Sequence, residues 1–297
     1  MAEQRVGVIG LGNMGGRIAA RIAAAGRTVA GYDTDASRAA ALGIEAVSSV
    51  TALVERVDVV LLSLPDSSVV EPVVEGPGGI LSVARQGLVV VDLSTSSPSS
   101  TVRLAAVLGA HGVALVDAGI SGGAAAAEKG TLTIMAGGEP DVLEAVRGVL
   151  GTFSTRVVHM GASGSGHTTK LLNNFLNAVT LAATSEVMVA ARVAGLDLHR
   201  VLEVINSSSG VSFASVNRFP AIIEGDYLEG GLTSRLMLKD ITLYVDMLRE
   251  LGAPSLNVAG PLASFGLALG LGYGEQISNR VVDAIGDVAG GVRLSED

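Results

Sequence analysis

Apolar and polar positions alternate between two patterns from residue 5 to about residue 160. Short apolar-rich runs at 5–9, 28–32, 57–62, 87–92, 114–117, 131–136 and 156–159 have the length and composition of buried strands. Between them, apolar residues three and four apart predict helices over 13–25, 35–42, 51–55, 68–75, 97–110 and 141–150. Pro98 suits the first turn of its helix, behind a serine-rich cap. Strands that alternate with helices in this way form βαβ units and a mostly parallel sheet. After the cluster Gly161-Ala-Ser-Gly-Ser-Gly166 the character changes, and no convincing strand follows. Residues 167–194 contain neither Pro nor Gly, which predicts an unusually long helix that crosses from one domain to the next. Further helices are expected over 198–206, 234–251 and 256–271, with another near the C-terminus.

The first strand breaks into Gly10-x-Gly12-x-x-Gly15. In a dinucleotide-binding turn the first such glycine allows the tight bend, the second lets backbone approach a pyrophosphate, and the third lets helix pack on strand. Asn13 and Met14 open the following helix, whose N-terminus presents N–H groups and a positive dipole end to phosphates. The pattern alone is weak in a chain with 39 glycines; strand before, helix after and the acid that follows strengthen it. Asp33 closes the second strand 18 residues past Gly15, near the spacing at which an acid binds the adenine ribose diol. An acid there repels a 2′-phosphate, so NAD is the expected cofactor. Arg38 leaves NADP open, because an arginine near that strand end pairs with phosphate. The expected fold is α/β: an N-terminal Rossmann domain, with a doubly wound, mostly parallel sheet, over 1–163. A C-terminal all-helical domain over 164–297 follows, for substrate and oligomerisation.

Composition narrows the classes of function. A chain of 297 residues suits two domains, and a net charge of −9 argues against nucleic acid or anionic membrane as partner. There is no cysteine, so disulfides, thiolate catalysis and Cys-ligated zinc are excluded; no metal is expected. No basic-then-apolar leader precedes the first strand, and a cytoplasmic location is expected by default. The uncharged stretch 251–274 holds Pro254, Asn257, Pro261 and several glycines, and reads as a buried helix with its entry turn rather than a membrane span.

Candidate chemistry gathers at the start of the long helix. Lys170, Asn173, Asn174 and Asn177 are spaced to share one face, with Leu171, Leu172, Phe175 and Leu176 largely on the other. A solvated face is the usual meaning of such a stripe. Three asparagines in two turns are poor helix formers, however, and suit a face that hydrogen-bonds something specific. A lysine in a desolvated pocket serves proton transfer, which hydride chemistry at an alcohol carbon requires. The four histidines, His111, His159, His167 and His199, form no cluster, which leaves Lys170 as the best acid/base candidate. Ser121, Gly122 and Gly123 follow a strand end and offer an anion nest for a carboxylate, or form an ordinary strand-to-helix turn. Leu64 and Pro65 leave one strand and Thr95 another, in loops facing the same crevice. Lys239 and Asp240 lie in an apolar helix, as a snorkelling pair or as partners of a ligand.

Taken in order, these motifs resemble the β-hydroxyacid dehydrogenases, the family that includes 3-hydroxyisobutyrate dehydrogenase and tartronate semialdehyde reductase. The likeness runs through Gly10-Leu-Gly-Asn-Met-Gly15, Asp92-Leu-Ser-Thr95, Asp117-Ala-Gly-Ile-Ser-Gly-Gly123, Gly130 to Gly138, Gly164 to Asn174, and Lys239-Asp240. The resemblance implies hydride transfer between a nicotinamide cofactor and a small β-hydroxy carboxylate. Lys170 would be the catalytic lysine, with Asn174 placing lysine and substrate. Ser121, Gly122 and Gly123 would hold the carboxylate, Phe213 would meet the substrate's far end, and Lys239 would close on cofactor and substrate with Asp240 nearby. Leu64, Pro65 and Thr95 would contact the cofactor. The family usually has Pro where Gly119 stands and often Trp where Phe213 stands, differences that bear on which hydroxy acid fits. Two rivals share the architecture: an imine reductase, which usually carries Asp or Tyr in place of the lysine, and a non-catalytic NAD(P)-binding module. Lys170 counts against both. A homodimer or homotetramer through the C-terminal domain is expected, because so long a helix leaves apolar surface to cover.

Overall fold

The computed structural model describes residues 4–295. The chain divides into two compact units, Met1–Lys170 and Leu171–Asp297. The first contains eight strands, β1 (Val6–Ile9), β2 (Val29–Tyr32), β3 (Glu45–Ala46), β4 (Val59–Leu62), β5 (Val89–Asp92), β6 (Ala114–Ser121), β7 (Leu132–Gly137) and β8 (Ser154–Gly161). Its helices are α1 (Asn13–Ala24), α2 (Ser37–Ala41), α3 (Val50–Val54), α4 (Ser67–Glu75), α5 (Pro98–Ala110), α6 (Gly123–Lys129) and α7 (Pro140–Leu150). One sheet holds all eight strands in the order β3-β2-β1-β4-β5-β6-β7-β8, parallel except for the antiparallel pair β6–β7. Neighbours within a strand serve opposite faces. Val59 and Leu61 join one apolar cluster with Ile18 and Ile22 of α1, while Val60 and Leu62 join another with Leu104 and Leu108 of α5. A sheet buried on both faces in this way requires the near-continuous apolar strands seen in the sequence. The strand order reverses between β1 and β4, and at such a point the loops leaving the carboxyl ends diverge into a crevice that takes ligands.

Strand β6 is twice the expected length. It runs on past Asp117 to Ser121, pairing Gly119 with Met135 and Ser121 with Thr133 on β7. Of the glycines that suggested a loop, Gly119 sits inside the strand, while Gly122 caps and Gly123 opens the next helix. Helix α6 follows directly, over residues to which the sequence pattern assigned no element, and β3 adds a short exposed edge.

Helix α8 (Ser165–Val193) begins in the first unit and continues through the second as a single 29-residue element. The second unit adds α9 (Leu198–Asn206), α10 (Phe213–Asn217), α11 (Phe219–Ile222), α12 (Ser234–Leu251), α13 (Ala259–Gly270) and α14 (Val281–Val288). Its core is built from Leu181 and Met188 of α8, Phe219 and Ile222 of α11, Met237 and Ile241 of α12, and Phe265 of α13. Leu171 packs with Met247 and Leu248, and Phe175 stacks on Tyr244 at 4.0 Å between ring centres. These contacts step in opposite directions along α8 and α12, so the two helices pass antiparallel. Leu172 and Leu176 depart from the expected apolar face: both are exposed, while Asn174 is buried. α8 is also the one described helix long and apolar enough to cross a membrane, and its apolar residues include the core positions just named.

Candidate active site

The glycine fingerprint is a cradle defined by what it lacks. A Cβ on Gly10 would lie 2.3 Å from the Ser63 carbonyl oxygen, and one on Gly15 would lie 1.9 Å from that of Gly10. Gly10 has φ +90°, inside the region that only glycine adopts freely. At Gly12 the nearest atom is Arg38 Nη1 at 3.5 Å, so the loop is open on that side. Gly12 is also the N-cap of α1, and Asn13 and Met14 begin the helix with no capping side chain before them. A backbone this bare at a helix N-terminus fits a pyrophosphate. Asp33, at the end of β2, accepts the Leu11 N–H at 2.7 Å and the Asp35 N–H at 2.9 Å, and lies 3.3 Å from Arg38 Nη1. Burial by itself would raise the Asp33 pKa; the Asp35 and Leu11 amides and the Arg38 charge outweigh it and hold the carboxyl below its ordinary value.

The loops after β4 and β5 are tied together. The Leu64 N–H donates to Ser94 Oγ at 3.0 Å, and Asp92 accepts from the Ser94 N–H and the Ser96 hydroxyl. Pro65 is exposed beside Leu64, and Thr95 is half-buried between the two fixed serines. His167 is fully buried, with Nδ1 2.7 Å from Thr101 Oγ1 and Nε2 3.2 Å from the Asp92 carbonyl oxygen. It is a structural tie between α8, α5 and β5.

One face of β6 seats the start of α8. Side chains alternate along a strand, so Asp117, Gly119 and Ser121 point the same way. Asp117 is completely buried and accepts the N–H groups of Gly164 at 2.8 Å and His167 at 2.9 Å, one on each carboxylate oxygen. A carboxylate at a helix N-terminus satisfies orphan amides and complements the helix dipole. Gly119 comes next and faces Gly166 and Lys170. Ser121 is the third residue of that face, about 6.5 Å beyond Gly119 by strand rise. Gly122 and Gly123 follow with φ of 126° and 69°, exposed at the start of α6. The root of Lys170 therefore lies over Gly119, two residues before Ser121 on the same strand.

In the second unit, Asn174 Nδ2 donates to Asp240 Oδ2, and Lys239 Nζ lies 2.9 Å from Asp240 Oδ1. Asn174 and Asp240 are both buried. Asn174 is one turn after Lys170 along α8. Phe213 opens α10 and is 62% exposed, with the Arg218 guanidinium 5.8 Å from its ring centre.

The profile for the NAD binding domain of 6-phosphogluconate dehydrogenase matches residues 5–161, and that for the NAD-binding region of NADP-dependent 3-hydroxyisobutyrate dehydrogenase matches residues 164–275. The 2-(hydroxymethyl)glutarate dehydrogenase of Eubacterium barkeri is 35% identical over 273 residues, covering 90% of this chain and 91% of that enzyme. The chain belongs to the β-hydroxyacid dehydrogenase family. It is an NAD(P)-dependent oxidoreductase acting on the hydroxyl group of a β-hydroxy acid. The NAD-dependent L-serine dehydrogenase of Pseudomonas aeruginosa is 32% identical over 283 residues, 92% of this chain and 95% of that one. The solved 3-hydroxyisobutyrate dehydrogenase of Mycobacterium tuberculosis with L-serine superposes with a TM-score of 0.85 at 29% identity, covering 94% of this chain and 98% of that one. Solved imine reductases superpose with TM-scores of 0.60–0.64 at 18–23% identity, a likeness of fold alone.

Two residues that the structure ties to the candidate positions escaped the sequence reading. Asp117 carried no assigned role, because the helix start it caps lies some 50 residues further along the chain. Arg218 gave no signal at all, because its neighbour Phe213 lies across a helix boundary from it.

Proposed function

We propose that Lys170 is the acid/base of this dehydrogenase and that Ser121, Gly122 and Gly123 hold the substrate carboxylate. The observation that supports the reading is the contact of the Lys170 root with Gly119, on the face of β6 that Ser121 shares. In oxidation, Lys170 takes the hydroxyl proton as the carbinol hydrogen leaves as hydride; in reduction it returns that proton. The bound nicotinamide supplies the hydride acceptor or donor. Asn174, held by Asp240, orients lysine and substrate, and Lys239 lies against cofactor and substrate with Asp240 as its counter-ion. Leu64, Pro65 and Thr95 line the nicotinamide end, and Gly10, Gly12, Asn13, Met14, Gly15 and Asp33 hold the rest, with NAD preferred. Lys170→Ala should lower kcat about 10²–10⁴-fold, the worth of a positioned proton-transfer group, with cofactor affinity nearly unchanged. Near wild-type turnover in that variant would remove lysine from the mechanism.

The substrate's far end is read from Phe213 and Arg218. The guanidinium bonds to the neutral Asn279 side chain at 3.0 Å, and among the described residues no carboxylate lies within 4 Å of it. Burial pulls its pKa down to about 10, which leaves it cationic at neutral pH. A lasting positive charge beside an exposed ring favours an acidic tail, as in 2-(hydroxymethyl)glutarate, over the methyl of 3-hydroxyisobutyrate or the amine of L-serine. Comparing kcat/KM for these three substrates tests the preference, and Arg218→Gln should abolish it.

The working assembly is a homodimer or homotetramer formed through the C-terminal domain. Exposed Leu176, Val187, Val193, Leu196 and Val204 on α8, α9 and the turn between them support that reading. A cytoplasmic site of action, with its soluble nicotinamide pool, completes it; fractionation against a cytoplasmic marker checks it.

A further inference from the structure

The contact between Gly119 and Lys170 is unusual in which atoms it involves. A Cβ built on Gly119 would lie 2.6 Å from Lys170 Cβ, 3.1 Å from its Cγ and 3.3 Å from the Gly166 carbonyl oxygen. Carbon atoms in ordinary contact sit about 3.5–4.0 Å apart. The collision is with the root of the lysine, so no change of lysine rotamer relieves it. Gly119 has no positive φ, and its backbone would accept a side chain. The family usually has Pro here, so what excludes a side chain in this protein is how near its own α8 lies to the strand. The same closeness recurs one step back, where a Cβ on Gly166 would lie 2.4 Å from the Met135 carbonyl oxygen and 2.6 Å from that of Asp117. Asp117 draws the helix start down onto β6 through its two amide bonds.

We infer that Gly119 is a positioning residue for Lys170: its missing side chain sets how closely the lysine stem lies on β6, and so where the amine stands relative to Ser121 and the nest. This rests on the reading of Lys170 as acid/base. A methyl group at 119 lifts the helix at that point by about 1 Å, the difference between the built separation and ordinary contact. Misplacement of a reacting group by that much costs up to about 10²-fold in rate. Gly122 and Gly123 lie beyond the contact, and the nucleotide loop of Gly10 to Gly15 lies on a different strand, so cofactor affinity is spared.

The test is Gly119→Ala, assayed for kcat, KM, the pH profile of kcat, cofactor affinity by fluorescence titration, and melting temperature. We expect kcat to fall about 10- to 100-fold, the pH at which kcat falls off to move, and cofactor affinity to stay within about twofold. In a Lys170→Ala background the same change should add almost nothing to the loss, because there is no amine left to misplace. Multiplying losses in that background, or an unchanged kcat and pH profile in the single variant, would overturn the inference. If Lys170→Ala alone keeps its turnover, the acid/base reading has failed, which the cycle reports separately. Should Gly119→Ala not fold, Gly119→Ala/Lys170→Gly removes the colliding carbon and should restore folding; failure to do so would equally refute the contact.

Discussion

Asp33 and Arg38 carry opposite charges 3.3 Å apart beside the fingerprint, and the pair is unequal. The Asp33 side chain is 8% exposed and fixed by two backbone amides, whereas that of Arg38 is 46% exposed and also reaches Asp35 at 3.4 Å. A screened surface pair of this kind contributes little to stability, so Arg38 is free to turn to another anion. On the proposed reading Asp33 would accept ribose hydroxyls as it stands, and Arg38 would make a 2′-phosphate tolerable. Arg38→Ala should therefore lower kcat/KM for NADP roughly tenfold, about the 1.4 kcal/mol of one charge-assisted contact, and leave NAD within about twofold. Equal losses with both cofactors would sink that division of labour. Because the Asp33 carboxyl is held below its ordinary value, it stays ionised as pH falls, and its contribution is lost only below the usual carboxylate range. The KM for NAD should accordingly be flat from about pH 8 to about pH 5; a rise well above that range would point to a different titrating group.

At the scale of elements, Asp117 on β6 holds the start of α8. Asp117 satisfies two amides with two oxygens, and an asparagine can accept with only one while aiming its own N–H₂ at the other donor. Asp117→Asn should destabilise the protein by about 1.5–3 kcal/mol, the worth of a buried bond to a charged group, read as a lower urea midpoint. An unchanged midpoint would mean that the helix start is held by other contacts. Most elements were legible because a buried parallel strand must be apolar on both faces, and a long helix must avoid Pro and Gly. What was not legible has physical causes. Glu45 and Ala46 of β3 are exposed edge residues with no apolar signature. Gly119 inside β6 looked like a loop because its reason for being glycine is a helix 50 residues away in sequence. Of the polar stripe on α8, Asn174 is buried and bonded to Asp240. Its partner Asp240 and the burial of His167 depend on packing between distant segments, which periodicity does not report.

For the whole molecule, the exposed apolar side chains of the second unit set the clearest expectation. Leu176 and Val204 are each 63% exposed, on helices whose other faces are already packed. Sedimentation should show a species of at least twice the chain mass at micromolar concentration, and Leu176→Asp/Val204→Asp should shift it towards monomer. A wild-type monomer at that concentration would refute the assembly. The distribution of strands along the chain has a consequence for how the protein is made. Among the described residues all eight strands lie between Val6 and Gly161, and helices follow, with one isolated bridge between Thr233 and Ile277. At about 5–20 residues per second, a ribosome needs roughly 7–27 s to add the 136 residues from 162 to 297. That interval is long against the milliseconds to seconds in which a mixed α/β domain folds. Synthesis thus gives the nascent sheet time to close before the C-terminal helices exist, and the lysine helix is laid down on a floor already in place.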